Sequence, residues 1–293
     1  MFGNITTINS NFGAMEALYN LKKTNGDLSF HQTRLSTGKR INTAEDDAAG
    51  YHIAKHLESR TRGLSQALDN VSTAKNVLNI AEGGYQSQMD ILQQIKEDLT
   101  QAADGALNDE QRGAIGDRVE ALLTEFDEIR DQTKYNGFVL YSTDTTNSTS
   151  SVDRSMQFQV GEESADTFTT DFDNSNRASV GENNTDVDSI VGSSWAALTQ
   201  NEATAGIATL ETAIDSLSAT IQRMGDYQAR LTSKEESLSI GVANTEASRS
   251  RIEDADFAKE QMAMVKLQIL QQTGVSAFTQ ANSAPQVVLS LFK

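Results

Sequence analysis

Residues 64–102 read LSQALDNVSTAKNVLNIAEGGYQSQMDILQQIKEDLTQA. Leu64, Val71, Leu78, Tyr85, Leu92 and Leu99 recur every seven residues. Ala67, Ala74, Ala81, Gln88, Ile95 and Ala102 repeat with the same period, three positions later. Side chains three and four apart share a helix face, so the two sets form one apolar seam with a single polar exception, Gln88. At about 1.5 Å per residue such a helix runs roughly 58 Å. The Gly83-Gly84 pair inside it costs about 1 kcal/mol per glycine relative to alanine, which predicts a bend or a close contact there.

Two more seams keep the 3,4 spacing. One is Ile115, Val119, Leu122, Phe126 and Ile129, with Asn108 or Asp109 placed to cap its helix. The other is Ile207, Leu210, Ile214, Leu217, Ile221, Met224, Gln228 and Leu231. Helices with one apolar face bury those faces on one another, and a strict seven-residue period implies left-handed supercoiling. The expected fold is mainly α: a long antiparallel helical bundle or coiled coil. Both chain ends are also periodic. Ile8, Phe12, Met15, Leu18, Leu21, Leu28 and Leu35 mark an N-terminal amphipathic helix, and Ala263, Leu267, Leu270, Gly274, Ala277 and Ala281 a C-terminal one. The second set is rich in small residues, which permit close helix approach but bury little area each. A single pair of such helices is marginal in water, so these ends need more neighbours than one chain supplies.

The centre differs. YSTDTTNSTSS, Tyr141 to Ser151, is hydroxyl-rich and aperiodic. SMQFQV alternates at Met156, Phe158 and Val160; with DTFTTDF after it and Gly161 between, a small β-hairpin is expected. Residues 173–195 read as loop.

Charge follows the same division. The chain of 293 residues carries a net charge of −17. Residues 1–40 hold five Lys/Arg against Glu16 and Asp27, residues 142–195 hold ten acids against Arg154 and Arg177, and between Met264 and Phe292 the only charge is Lys266. The middle is expected to face solvent and the last 29 residues to be buried against something. A balance this acidic excludes a phosphate-binding face and so a nucleic-acid partner. Cysteine is absent, which removes disulfide, Cys-zinc and Cys-nucleophile chemistry together. The N-terminus shows no signal-peptide pattern and no window is apolar enough for a membrane span.

Between the first two helices lies LSTGKRINTAEDDAAGYHIAKHL, Leu35 to Leu57. Gly38 is suited to ending one helix in the left-handed conformation. Thr43 is expected to cap the next, with Asp46 at its third position. The return segment SRIEDADF, Ser250 to Phe257, mirrors it. Lys39 and Arg40 are placed either to meet Glu253, Asp254 and Asp256 or to stay solvated.

These residues carry a family resemblance. RLSTGKRINTAEDDAAGYHIA resembles the N-terminal signature of bacterial flagellins, SRIEDADFAKE and ILQQTGVSAFTQANSAPQVVLSLFK resemble their C-terminal region, and QTKYNGFVL resembles a family turn. The hook–filament junction protein shares the layout but usually lacks this ending.

The resemblance implies a structural subunit, not an enzyme, of an extracellular helical filament for swimming, secreted unfolded by a type III route. It implies an inner coiled coil of residues 1–40 and 257–293, a surrounding helical domain of 41–140 and 196–256, and a short outer region of 141–195. The assembly interface would then use Leu18, Leu21, Leu28, Leu35, Leu267, Leu270, Phe278, Val288 and Leu291, and the inter-domain linker Lys39, Arg40, Asn42, Asp46, Asp47, Glu253 and Asp254. Implied partners are copies of itself, an export chaperone at the C-terminus, and cap and hook-junction proteins. Animal innate receptors read a Gln-Arg-Val-Arg-Glu-Leu motif in many flagellins. Here Gln94 replaces the first Arg, Asp98 the Leu, and Arg118 aligns with a Glu, so receptor activation is expected to be weak or absent. Ser142, Thr145, Asn147, Ser148 and Thr149 are candidate glycosylation positions, set against an unmodified loop.

Rival classes find less support. His52 and His56 have an i, i+4 metal spacing, but no zinc-protease Glu accompanies them, and they read as surface histidines. No metal or cofactor is implied. A secreted coiled-coil binding module remains the other reading; it predicts a closed oligomer.

Overall fold

The computed structural model describes residues 11–141, 154–181, 185–190 and 195–290. Five helices dominate: α1 Phe12–Thr37, α2 Ala48–Ala102, α3 Asp109–Gln132, α4 Gln200–Glu253 and α5 Phe257–Ser290. Among the described residues, three antiparallel strand pairs lie between α3 and α4: β1 Lys134–Tyr135 with β2 Phe138–Val139, β3 Arg154–Gln159 with β4 Thr167–Phe172, and β5 Ser175–Asn176 with β6 Ser179–Val180. The chain divides into two compact units, Met1–Thr61 with Ala243–Lys293, and Arg62–Val242.

The Arg62–Val242 unit is built on the opening seam. Every member of both heptad sets from Leu64 to Ala102 is buried, Gln88 included. Val119, Leu123 and Phe126 of α3 and Leu210, Leu217, Met224 and Leu231 of α4 close the same core. Lys75 pairs with Glu235 at 2.7 Å and Lys96 with Glu211 at 2.9 Å, so α2 and α4 run antiparallel. Asn108 is the cap of α3; its side chain accepts from the Gln111 amide while the Gln111 side chain accepts from the Asn108 amide.

The Gly83-Gly84 pair makes a close contact, and α2 runs through it unbroken. A Cβ on Gly83 would meet open space, whereas one on Gly84 would lie 2.7 Å from Thr133 Oγ1 and clash with the Tyr141 hydroxyl. That hydroxyl donates to the Ala81 carbonyl, and the Tyr141 ring packs 4.2 Å from that of Tyr85. Gly84 is the hole that Tyr141 fills.

The structure corrects the reading of residues 173–195 as loop. Within its described part this segment is a strap across the helices, containing β5, β6 and two short 3-10 turns, Asp188–Ile190 and Trp195–Ala197. The Tyr85 hydroxyl donates to the Asp173 carbonyl at 2.9 Å, and the Thr220 hydroxyl to the Asp173 carboxylate at 2.6 Å. The Gln88 amide donates to the carbonyls of Phe126 and Ser175 at 3.1 and 3.2 Å. Arg177 holds Asp127 of α3. Val180, Val187, Ile190 and Trp195 are buried. The centre is therefore not simply solvent-facing, because its singly spaced apolar residues enter the core while most of its acids do not. Ile207, Ile214 and Ile221 are half-buried and pack against the same core. Ser216 and Thr220 are buried beside Leu210, Leu217 and Met224 and donate to Val180 and Asp173 of the strap. The β3–β4 hairpin forms as expected, with Phe158 opposite Phe168.

In the other unit α1 and α5 pair antiparallel. Asn11 donates to the Ala281 carbonyl at 2.7 Å, Gln271 to Asn25 at 2.8 Å, and His31 Nδ1 lies 2.5 Å from Glu260 Oε2.

Candidate functional site

The turn after α1 ends as its sequence dictates. Gly38 takes a φ of 71° and donates its N–H to the Arg34 carbonyl at 2.9 Å. Lys39 forms a backbone bridge with Asp254, and its ammonium lies 2.6 Å from Glu253 Oε1. Arg40 donates from its backbone to the Glu253 carbonyl and from its guanidinium to the Ile252 carbonyl. Asp254 takes the Ser250 hydroxyl instead of a cation.

The cap of α2 differs from expectation. Thr43 does not cap it; Asp47 does, its carboxylate accepting the Gly50 amide at 3.0 Å just ahead of Ala48. Asp46 is spent on the turn before it, accepting from the amides of Thr43 and Asn42 at 2.9 Å each. Those two bonds hold its carboxyl below the usual aspartate range. Two adjacent acids divide one job because the turn of Thr43 to Asp46 adds a bend before the helix starts.

Among the described residues, the α1/α5 pair contributes nothing to the buried hydrophobic core around α2. Ala14 is the single buried residue of α1. Of the fifteen large apolar side chains exposed among the described residues, eleven lie on these two helices, among them Phe12, Met15, Tyr19, Met262, Val265, Ile269 and Val275. Leu18 and Leu270 are exposed, while Leu21, Leu28, Leu35, Leu267 and Phe278 are half-buried. Gly13, Ala17, Gly274, Ala277 and Ala281 line a groove of about 460 Å³ between the helices. The backbone of Val288 belongs to α5; Leu291, Ser142, Thr145, Asn147, Ser148 and Thr149 lie outside the described residues.

The three receptor-motif positions sit on α2 and α3. Gln94 is exposed. Asp98 and Arg118 find each other at 2.7 Å, with the Asp98 side chain 3% exposed and the Arg118 side chain 64%. Burial raises the Asp98 pKa above its usual 3.8 despite Arg118, and its second oxygen has no hydrogen-bond partner among the described residues. Sequence reading saw two separate departures; the structure shows one ion pair, because α3 returns alongside α2. A raised pKa means the stabilising contribution is whole below pH 3.8 and is lost as pH rises through the folded value. Asp98→Leu is therefore expected to stabilise this unit by about 1 kcal/mol near neutral pH, with an advantage that shrinks on acidification. Chemical unfolding at several pH values measures it, and a pH-independent difference would refute the assignment.

His52 and His56 are both exposed. Among the described residues no group of three or more His, Cys, Asp or Glu is placed to hold a metal. No described helix is long and apolar enough to cross a membrane.

Residues 8–146 match the bacterial flagellin N-terminal helical region, and residues 207–292 the C-terminal helical region. The flagellar filament 33 kDa core protein of Treponema phagedenis is 32% identical over 98% of this chain and 99% of its own length. The chain belongs to the bacterial flagellin family. A flagellin of Listeria innocua is likewise 32% identical to this flagellin over 97% of its chain and 98% of the relative. A structure assigned as a flagellar hook-associated protein of Vibrio parahaemolyticus superposes with a TM-score of 0.60, covering 71% of this flagellin and 100% of that chain. At 13% identity that likeness shows the fold alone.

Sequence reading of this flagellin placed Asp47 in the linker but gave the cap of α2 to Thr43, because no spacing distinguishes the task of Asp47 from that of Asp46. It also missed the Gln88–Ser175 contact, although a lone polar residue on an otherwise apolar seam is the signal that a buried partner awaits it.

Proposed function

We propose that this flagellin is the repeating subunit of an extracellular flagellar filament, a structural role without catalysis. The observation that carries this reading is the bare apolar surface of α1 and α5. A patch of that extent on one helix pair needs other chains to cover it, and a contact between unlike faces that does not close on itself yields an open helical polymer. Near-full-length similarity to filament core proteins favours the filament over the hook junction. Electron microscopy of the purified, polymerised chain tests it. Long tubes are the expected result, and discrete closed particles would support a coiled-coil binding module instead.

In this reading residues 1–40 and 257–293 form the inner layer, 41–140 and 196–256 the layer around it, and 141–195 the outer face. Leu18, Leu21, Leu28, Leu35, Leu267, Leu270, Phe278, Val288 and Leu291 contribute to assembly, and the turn of Lys39, Arg40, Asn42, Asp46, Asp47, Glu253 and Asp254 joins the layers. The inner segments are unfolded in the monomer and order on assembly, and hydrogen exchange of monomer checks this through rapid exchange across α1 and α5. An export chaperone holds Leu267–Leu291 before secretion, and cap and hook-junction proteins meet the filament at its ends. Neither nucleic acid nor membrane is a partner. The Gln94, Asp98 and Arg118 pattern gives weak or absent innate-receptor activation, measured in reporter cells. The hydroxyl run from Ser142 to Thr149 is offered for glycosylation, which intact mass of native protein decides.

A further inference from the structure

The chain contains two Asn-Gly pairs, Asn25-Gly26 and Asn136-Gly137. This dipeptide is the one most open to spontaneous deamidation, because glycine puts no Cβ in the way of its own nitrogen. The two copies sit in opposite surroundings. Asn25 and Gly26 lie inside α1, where helical geometry ties the Gly26 amide to the preceding turn. The Asn25 side chain also accepts the Gln271 amide at 2.8 Å. Asn136 and Gly137 form the two-residue loop of the β1–β2 hairpin, between the paired residues Tyr135 and Phe138. Their φ angles are 49° and 82°, and both residues are exposed. In a loop of this kind the ladder bonds belong to the flanking residues, so the second loop nitrogen stays out of the ladder.

We infer that Asn136 is a site of spontaneous deamidation and isoaspartate formation, and that Asn25 is protected from the same reaction. The deprotonated Gly137 backbone nitrogen attacks Asn136 Cγ, a nitrogen–carbon bond forms, and the side-chain nitrogen leaves as ammonia. Water then opens the cyclic imide on either carbonyl. One product is aspartate; the other is an isoaspartyl linkage that carries the chain through the former side chain. The second adds a backbone methylene to a two-residue loop and a negative charge beside exposed Phe138. The hairpin leads directly into Tyr141, which fills the hole at Gly84, so the change loosens a strut of the core. The new α-carboxylate belongs to the substrate class of isoaspartyl carboxyl methyltransferases, which makes it detectable.

The experiment compares native filaments with denatured chain, both held at mildly alkaline pH. Peptide mapping follows the amide-to-acid mass gain, and methyl transfer from labelled S-adenosylmethionine identifies isoaspartate. In denatured chain the two sites are expected to convert alike. In filaments Asn136 is expected to convert several-fold faster than Asn25. Conversion at Asn136 no faster than at Asn25 in filaments would overturn the inference. The inference uses the filament reading only for its control, since soluble monomer reports separately. There, reactive Asn25 supports unfolded termini, and protected Asn25 counts against them without touching Asn136.

Discussion

Gly116→Ala should unfold the Arg62–Val242 unit more readily than Gly83→Ala or Gly84→Ala. A Cβ on Gly116 would overlap the Trp195 carbonyl oxygen and lie 2.7 Å from its carbon. The obstacle is backbone, which cannot rotate aside as a flexible side chain does. Relief would require lifting the 3-10 turn at Trp195–Ala197 off α3, and with it buried Trp195 and Leu198. Overpacking typically costs 1–3 kcal/mol, and displacement of backbone places this case at about 3 kcal/mol or more. That is a large fraction of a domain's usual stability of roughly 5–15 kcal/mol. Trp195 is the only tryptophan in the chain, so its fluorescence during denaturant titration reads the loss at the affected place. Gly83→Ala is the internal control: its site is exposed and open, and relief from a helical glycine should stabilise by about 0.5–1 kcal/mol. Equal midpoints for Gly116→Ala and the wild type would mean that the turn does not sit on α3 as described.

Replacing Val265 and Ile269 together by Asp should abolish polymerisation at concentrations where the wild type forms filaments. Both side chains are exposed on α5 and neither supports the core around α2. Burying an aliphatic side chain of this size is worth about 1.5–3 kcal/mol. About half of each is already covered within the chain, so completing both burials is worth about 1.5–3 kcal/mol in all, or about 10–10² in the concentration needed for assembly. The introduced carboxylates add a desolvation cost of their own. Sedimentation at graded concentrations gives the threshold, and unchanged Trp195 fluorescence shows that the Arg62–Val242 unit stays folded. Filaments at the wild-type threshold would show that this face of α5 is not covered in the polymer.

The sequence disclosed most where one physical constraint acted alone. Residues 64–102 obey a single packing demand, and all twelve seam positions are buried. The β3–β4 hairpin was legible for the same reason, since alternation needs only one covered face. Legibility failed where two demands met. On α4 the expected isoleucines pack half-buried against the core, but Ser216 and Thr220 are buried beside them because they bond the strap, which no hydrophobic pattern announces. The strap was hidden because Phe172, Val180, Val187 and Trp195 are too far apart to show a period. At the turn, Asp46 and Asp47 offer identical chemistry one residue apart, and only the path of the backbone separates their tasks. Asp98 and Arg118 looked independent because nothing in a linear pattern states which face of α3 meets α2.

The bonds of Asp173 have a kinetic corollary. This residue is tied at once to Tyr85, 88 positions earlier, and to Thr220, 47 positions later. Closing loops of that size costs chain entropy before any contact returns it, which makes such topologies slow to form. A chain threading a narrow conduit from either end has only one of those partners available for much of its passage. For a chain exported in that way, the bonds of Asp173 to both helices are complete only once residues 85–220 have emerged.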